Sequence, residues 1–572
     1  MSPSVHYNRT MMTAWRTSFL SLVGAVCLFS VACRGSETDP FLVLFCLDGA
    51  DPEIMNRLRA EGKLPNIDRL IRSGVWSPME SVAAKRVLRP HPRLGLWSPI
   101  IWASVATGVV PEKHGILDFL LPMPGTAFSW IGNEHGSPRA EIILPEIHGR
   151  PPYTFRLRVR AYRPNSPQEI EFLLNGQTMA SATVGETWEV VTASVPEELL
   201  RPARNRLELL FSKQSRPSDR GASRDRRPLA GALASLQIED AAGDRVVSMD
   251  PVSHRFAHGE GFYPPEAELV EAQSVHLKSR PVWGLLGDLG HPVGVVGYWS
   301  TWPAQEVGGF LVSSHMGLRG RRQQTRRQLT WPPELADELQ PLQPTDAEIG
   351  EQVASLYPPA CSPTHPRSLS VFEQVLWQDE FYFRIAQKLL PTLRRGFFTV
   401  YFESIDVAGH TFLPFLDGAE LPPNCPGSVR VVVERIYQRN DAWIGELIEN
   451  LPAAAAVMVV SDHGMVTAGD AGYHAPYGVF VASGPAIRRG ISFHGASVLD
   501  VTPTLLELFD AAIPFQMDGK VLVQALQPEW LAKHPPRYAE AEAVVAEEQP
   551  NQPLTEDTEE IIDRLESIGY LQ

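Results

Sequence analysis

Asp462 and His463 sit directly after an apolar run at 457–460, with Ser461 before them and Gly464 after. A short continuous apolar run ending in polar residues is the pattern of a buried parallel strand that delivers side chains at its C-terminal end. In open α/β sheets, ligands bind at that end. A carboxylate beside an imidazole suits a divalent metal, although the pair alone is equally the pattern of a solvated turn. Other apolar runs end the same way. The run 41–47 leads into Asp48, Gly49, Ala50 and Asp51. The run 396–402 leads into Asp406 and His410, which share one face if that turn is helical. His474 lies in a loop before a strand expected at 478–482. Ser98 precedes Pro99 at the start of a helix pattern and is expected at its N-cap. A hydroxyl there is explained by capping alone, and the same place would favour a serine alkoxide and an incoming anion. If the sheet is parallel, Asp48, Ser98, Asp406, His410, Asp462, His463 and His474 converge on one sheet edge. They supply enough carboxylate and imidazole to hold two divalent ions.

The elements that must position them alternate strand and helix, the pattern of an α/β fold. Helical spacing follows the first strand (52–71) and recurs at 98–108, 282–289, 374–390, 429–450 and 499–508; short apolar strands recur at 292–297, 396–402 and 457–460. Residues 125–250 break this rhythm. Residues 153–160 alternate with period two, parts of 169–174 and 187–195 do the same, and Asn175-Gly176 is a hairpin signal. This stretch is expected to be an inserted β-sandwich-like domain between the two parts of an α/β domain, 41–124 and 274–526. Trp299 and Trp302, after the strand at 292–297, either line a pocket mouth or cap the core.

At 572 residues the chain exceeds one ordinary domain, and its net charge of −15 argues against nucleic acid as a partner. Arg9 and Arg16 precede an uncharged, largely apolar run at 17–32, and Cys33 follows Ser30-Val31-Ala32. Residues 1–33 are therefore expected to be a signal peptide. The cysteine resembles the lipid-modified cysteine of bacterial lipoproteins, with Ser30 where the lipobox usually has leucine. Residues 34–40 would be a tether, and the protein an exported one, in the periplasm or anchored at the outer membrane through lipidated Cys33. Five cysteines are too few for a disulfide framework. Cys46 is expected in the core, while Cys361 and Cys425 could pair in an oxidising compartment. Residues 535–572 are expected to form an acidic surface tail.

Several segments resemble the alkaline phosphatase superfamily, in particular its type I phosphodiesterase/nucleotide pyrophosphatase branch. They are Leu47-Asp48-Gly49; residues 98–108 with Pro111 and His114-Gly115-Ile116; Asp406 to His410; Ser461-Asp462-His463-Gly464-Met465; and His474 through Gly484-Pro485. The Asp500-Val501-Thr502-Pro503-Thr504 stretch and Asp518-Gly519 fit as well. The resemblance implies an alkaline-phosphatase-like fold, with a mostly parallel sheet sandwiched by helices. It implies that Asp406, His410 and His474 hold one metal, and that Asp48, Asp462 and His463 hold the second. Ser98 would bridge them as the nucleophile that forms a phospho-serine, which water then hydrolyses. Zinc suits these ligands best, with manganese as the other option. Two positions depart from the branch: its nucleophile is usually threonine, and its phosphate-contacting asparagine is replaced here by Phe119. The sulfatase signature is absent after Ser98. The expected substrate is a small-molecule, glycan-linked or lipid-linked phosphoester, a diester or phosphonate rather than a small monoester. The alternatives are a phosphotransferase of the same superfamily and a surface glycan-binding protein with a degenerate metal site.

Overall fold

The computed structural model describes residues 40–540, apart from 83–95, 123–127, 133–137, 202–203, 221–225, 250–261, 267–268, 320–325, 358–365, 422–424 and 469–470. The expected signal peptide, the lipid-bearing Cys33 and nearly all of the tether lie outside the described residues. The strands and helices that frame the site are, in chain order, β1 (Phe41–Leu47), β2 (Val75–Glu80), α1 (Ser98–Thr107), β3 (Val293–Val296), β4 (Gly309–Val312), β5 (Thr330–Trp331), α2 (Pro366–Leu389), β6 (Gly396–Phe402), α3 (Ser404–Leu416), α4 (Val432–Ile448), β7 (Ala456–Val460), β8 (Gly464–Ala468), β9 (Ala471–Ala475), β10 (Tyr477–Ser483) and β11 (Ile491–Ser492).

One ten-stranded sheet runs in the order β5-β4-β3-β6-β1-β7-β10-β2-β11, with a short strand at Ala496–Ser497 also on β2. The five strands from β4 to β7 are mutually parallel. Every residue of β1 and β6 is buried, because helices cover both faces; that is why both are uninterrupted apolar runs. Two apolar clusters result, one on each side of the sheet. One holds Phe45, Leu47 and Phe398 with residues of α2 and α4, and the other holds Leu44, Cys46 and Tyr401 with residues of α1. The fold is thus α/β, with a large, mostly parallel central sheet flanked by helices.

The sheet is not uniformly parallel. β10 runs antiparallel to β7 and to β2. Its first residue therefore lies at the C-terminal edge of the parallel strands. The backbone enters β10 from a β8–β9 hairpin standing over that edge.

The stretch after α1 forms two antiparallel sheets. The strands Phe262–Glu266, Phe128–Ile131, Gly231–Glu239, Tyr153–Ala161 and Glu189–Val195 line up in one, and Arg245–Met249 adds to Gly231–Glu239. Arg139–Ile143, Arg206–Phe211, Gln168–Leu174 and Gln177–Val184 form the other. One apolar cluster, including Phe155, Leu157, Phe172 and Leu209, is drawn from both. Asn175 and Gly176 turn the Gln168–Leu174/Gln177–Val184 hairpin at φ +55° and +86°, the left-handed pair that an Asn-Gly turn supplies. The strand Phe262–Glu266 pairs with Phe128–Ile131 in this insert, beyond the boundary at 250 read from the sequence. Leu269–Glu271 pairs with Leu120–Pro122 to form a two-stranded stalk.

Cys46 is buried and free, and Cys425 is disulfide-bonded. Its expected partner, Cys361, lies outside the described residues. No helix among the described residues is long and apolar enough to cross a membrane. The expected tail begins as docked chain: Tyr538–Ala539 pairs with Ile513–Pro514.

Candidate functional site

Strand register brings the first acids together. Cys46 pairs with Val460, so Asp48 and Asp462, each two residues on, emerge side by side at the sheet edge. Leu47 pairs with Phe402 on the other flank, so α3 starts at the same level and carries Asp406 in its first turn. His410 follows one turn later on the same face. Asp379 of α2 fixes this helix start. Its carboxylate accepts the Glu403 and Ser404 amides, both at 2.9 Å. Those are amides at a helix N-terminus that have no intrahelical partner. Burial pushes the Asp379 carboxyl up to about 6, against the pull of Arg439 and these amides.

His474 lies on β9, not in a loop, and faces Met465 across the hairpin. Its Nδ1 is hydrogen-bonded to the Leu96 carbonyl, just before α1. Ser98 is the first residue of α1 and Trp97 is the cap, one position earlier than the sequence pattern indicates. The hydroxyl therefore makes no cap bond. It donates to Asp48 Oδ1 at 3.2 Å and lies 3.4 Å from His463 Nε2.

All seven residues picked out in the sequence meet here: Ser98 beside two groups of three, Asp406 with His410 and His474, and Asp48 with Asp462 and His463. In each group the ligand atoms lie within 4.8 Å of one another. Asp406 Oδ1 is 3.4 Å from His410 Nε2 and 3.3 Å from His474 Nε2. His463 Nε2 is 3.3 Å from Asp48 Oδ1 and 3.4 Å from Asp462 Oδ2. The groups are contiguous: His463 Nε2 is 3.8 Å from Asp406 Oδ1, and the His463 and His474 rings stack at 3.6 Å.

Hydrogen-bond direction bears on whether cations fit. The Nδ1 atoms of His463, His410 and His474 each face a backbone carbonyl, of Gly464, Gly472 and Leu96. A carbonyl only accepts, so each Nδ1 carries the hydrogen and each Nε2 turns its lone pair into the site. His410 Nε2 and His474 Nε2 are nonetheless 3.0 Å apart. Two lone pairs at that distance require a cation between or beside them. Asp462 Oδ2 is buried and accepts no hydrogen bond. The donor set therefore fits divalent metal.

Without metal, protons would take that place. Burial alone would lower His463, but the Asp462, Asp48 and Asp406 carboxylates hold it up to about 10. Burial and the neighbouring His463 push His474 down to about 4. Burial, with Asp48 close by, holds Asp462 well above the usual carboxylate range. The neighbouring His410 and His474 outweigh burial at Asp406 and hold it well below that range.

The chain matches the type I phosphodiesterase/nucleotide pyrophosphatase family over residues 42–146 and 255–478, more than half of its length. It belongs to that family. The family's members are metal-dependent phosphoester hydrolases, and all seven site residues fall within the matched segments. Among solved structures, human ectonucleotide pyrophosphatase/phosphodiesterase 5 aligns at 10% identity and a TM-score of 0.35, covering 85% of this chain and 98% of that one. The murine protein, an inactive variant in complex with AMP, aligns at 10% identity and 0.37, covering 86% and 100%. No curated protein matches the chain.

Two residues around the site are ones that sequence patterns do not single out. Tyr401 and Trp102 both bond to Asp48, yet in the sequence each reads as one more apolar position in a strand or helix. Ser461 Oγ accepts the Ala50 amide and donates to the His463 carbonyl, tying the β1 and β7 turns together. His114 is buried, with Nδ1 accepting the Ile116 amide and Nε2 on Ser104 Oγ at 2.9 Å, so it braces α1 and is no ligand. Phe119 is buried, 5.5 Å from Trp97 and 6.0 Å from Trp299 between ring centres. Trp302 stacks on His315 in the core, whereas Trp299 is half-buried and bonds to Tyr401.

Proposed function

We propose that this protein is an exported hydrolase of phosphodiesters or related phosphonates that works through a phospho-Ser98 intermediate on two divalent cations. The observation that carries the reading is the position of Ser98 Oγ, 3.2 Å from Asp48 Oδ1 and 3.4 Å from His463 Nε2, at the N-terminus of α1. Asp406, His410 and His474 would hold one cation, and Asp48, Asp462 and His463 the other, with zinc the best match to this donor set and manganese the next. Bound there, the cations would supply Lewis-acid charge that makes a nearby hydroxyl more acidic and neutralises phosphoryl oxygens.

The chain's own residues do the rest. Asp48 Oδ1 takes the Ser98 hydroxyl hydrogen and so turns an oxygen lone pair outward. The helix N-terminus favours the incoming anion. Ser98 Oγ bonds to phosphorus as the bond from phosphorus to the ester oxygen breaks, and the hydrogen that Ser98 gives up ends on that oxygen, which leaves as an alcohol. Water then cleaves the Ser98–phosphorus bond, and its hydrogen returns to Ser98. Phe119 is buried against Trp97 and Trp299, where the nucleotide branch carries its phosphate-contacting asparagine, so this chain offers the phosphate no side-chain amide from that position.

Export is supported by the basic-then-apolar start of the chain and by the disulfide at Cys425, which belongs to an oxidising compartment. Lipid attachment at Cys33 would tether the enzyme to a membrane. Ser98→Ala, assayed on a panel containing bis-nitrophenyl phosphate and the nitrophenyl monoester, tests the mechanism. The variant's turnover should vanish while bound metal is largely retained, and in the unsubstituted protein faster release from the diester than from the monoester should identify the substrate class. Unchanged turnover would remove Ser98 from the reaction.

A further inference from the structure

The two oxygens of Asp48 have different neighbours. Oδ1 faces Ser98 and His463. Oδ2 faces away and takes two hydrogen bonds, from Trp102 Nε1 at 2.9 Å and from Tyr401 Oη at 2.5 Å. Tyr401 Oη in turn lies 2.7 Å from Trp299 Nε1. An indole N–H can only donate, and a phenol has a single hydrogen. The direction of the chain is therefore fixed: Trp299 donates to Tyr401, and the Tyr401 hydrogen is left for Asp48. Strand geometry explains the meeting. Tyr401 pairs with Cys46, and alternation places Asp48, two residues on, on the same face of the sheet. Trp102 of α1 packs edge-on against Tyr401 at 5.5 Å over that face. Asp48, Tyr401 and Trp102 are buried, and Trp299 is half-buried.

We propose that Tyr401, Trp102 and Trp299 are positioning residues that hold Asp48 as a single-oxygen ligand, Trp299 acting only through Tyr401. Neutral donors engage Oδ2, so the carboxylate can neither rotate nor offer both oxygens to a cation. Oδ1 alone then faces Ser98 and the neighbouring ligands. The relay touches Asp48 and none of Asp406, His410 or His474. It sets the affinity of one cation position and leaves the other alone.

This inference rests on the two-cation reading above, and its test separates the two. Zinc is titrated into metal-free full-length protein against a competing chelator, resolving two binding steps. Tyr401→Phe keeps the ring and removes only the donor. One step should weaken about 10- to 100-fold, the usual cost of losing a ligand's outer hydrogen bond, and the other should stay as it was. Trp299→Phe should weaken the same step by less, and the double variant should match Tyr401→Phe. If Tyr401→Phe does not fold, Trp102→Phe removes the other donor and should weaken the same single step. Two unchanged steps, two steps weakened alike, or additive losses in the double variant would overturn the relay while leaving the two-cation reading intact. A wild-type chain that takes up no zinc would overturn both.

Discussion

Gly49 gives a prediction whose size follows from the coordinates. It has φ +70°, and a Cβ built there would lie 2.8 Å from Asp406 Cα and 2.9 Å from Asp406 Cβ. Carbon atoms rest at about 3.5–4.0 Å, so Gly49→Ala must push the start of α3 away from β1 by about 0.7 Å. Metal sites tolerate ligand displacements of only about 0.2 Å. The left-handed backbone adds about 1–2 kcal/mol of strain, and the overlap about 1–3 kcal/mol more. Gly62 is the control. It has φ +72° but nothing within 4 Å of a built Cβ, so Gly62→Ala carries the backbone strain without the collision. Both variants should be measured for zinc per chain after dialysis, for turnover of bis-nitrophenyl phosphate, and for stability in denaturant. Gly49→Ala should lose about 2–5 kcal/mol and most of its bound zinc and turnover. Gly62→Ala should lose about 1–2 kcal/mol and keep both. If the two variants behave alike, the close packing of the Asp48 turn on Asp406 does not hold the site together.

Acid should test His114, which burial holds down to about 3. Its neutral form is the folded one, so its contribution is present above the unfolded value near 6.5 and is lost as pH falls towards 3, up to about 5 kcal/mol in all. His114→Gln should flatten the fall in unfolding free energy over that window, and an unchanged acid limb would refute this. Zinc affinity should weaken by about tenfold for each unit of pH lost between 8 and 6, because a cation at His463 must displace a proton held with a value of about 10; pH-independent binding in chelator competition would contradict that. Asp379→Ala should destabilise the protein by about 3–5 kcal/mol, since two helix-start amides lose their acceptor and Arg439 its buried counter-charge. A loss below about 0.5 kcal/mol in denaturant would show that α3 does not need this anchor.

β1 and β6 were legible to the residue, because strands buried on both faces must be continuous apolar runs and each ends in polar residues. Asp48, Asp406, Asp462 and His463 were legible for the same reason: a charge at the end of such a run has nowhere to go but the sheet edge. His474 was legible as a residue but not as an element. The five residues of β9 hold a glycine, Gly472, and are followed by Pro476, and the reversal of β10 that brings it to the right edge depends on neighbours that strand periodicity does not name. Tyr401 and Trp102 could not be read at all as site residues, because an aromatic in an apolar strand or helix has the same signature whether its polar tip meets a carboxylate or a backbone group. The last strand of the insert escaped notice because Phe262-Tyr263-Pro264-Pro265-Glu266 does not alternate and carries two prolines.

Elemental analysis of the purified chain, after dialysis against zinc and then against metal-free buffer, tests the central claim most directly. Three imidazoles and three carboxylates grouped around Ser98 should retain two zinc ions per chain. Replacing Asp406 and His410 together by alanine should leave one. A wild-type chain that keeps none, or a variant that keeps the full complement, would contradict the account.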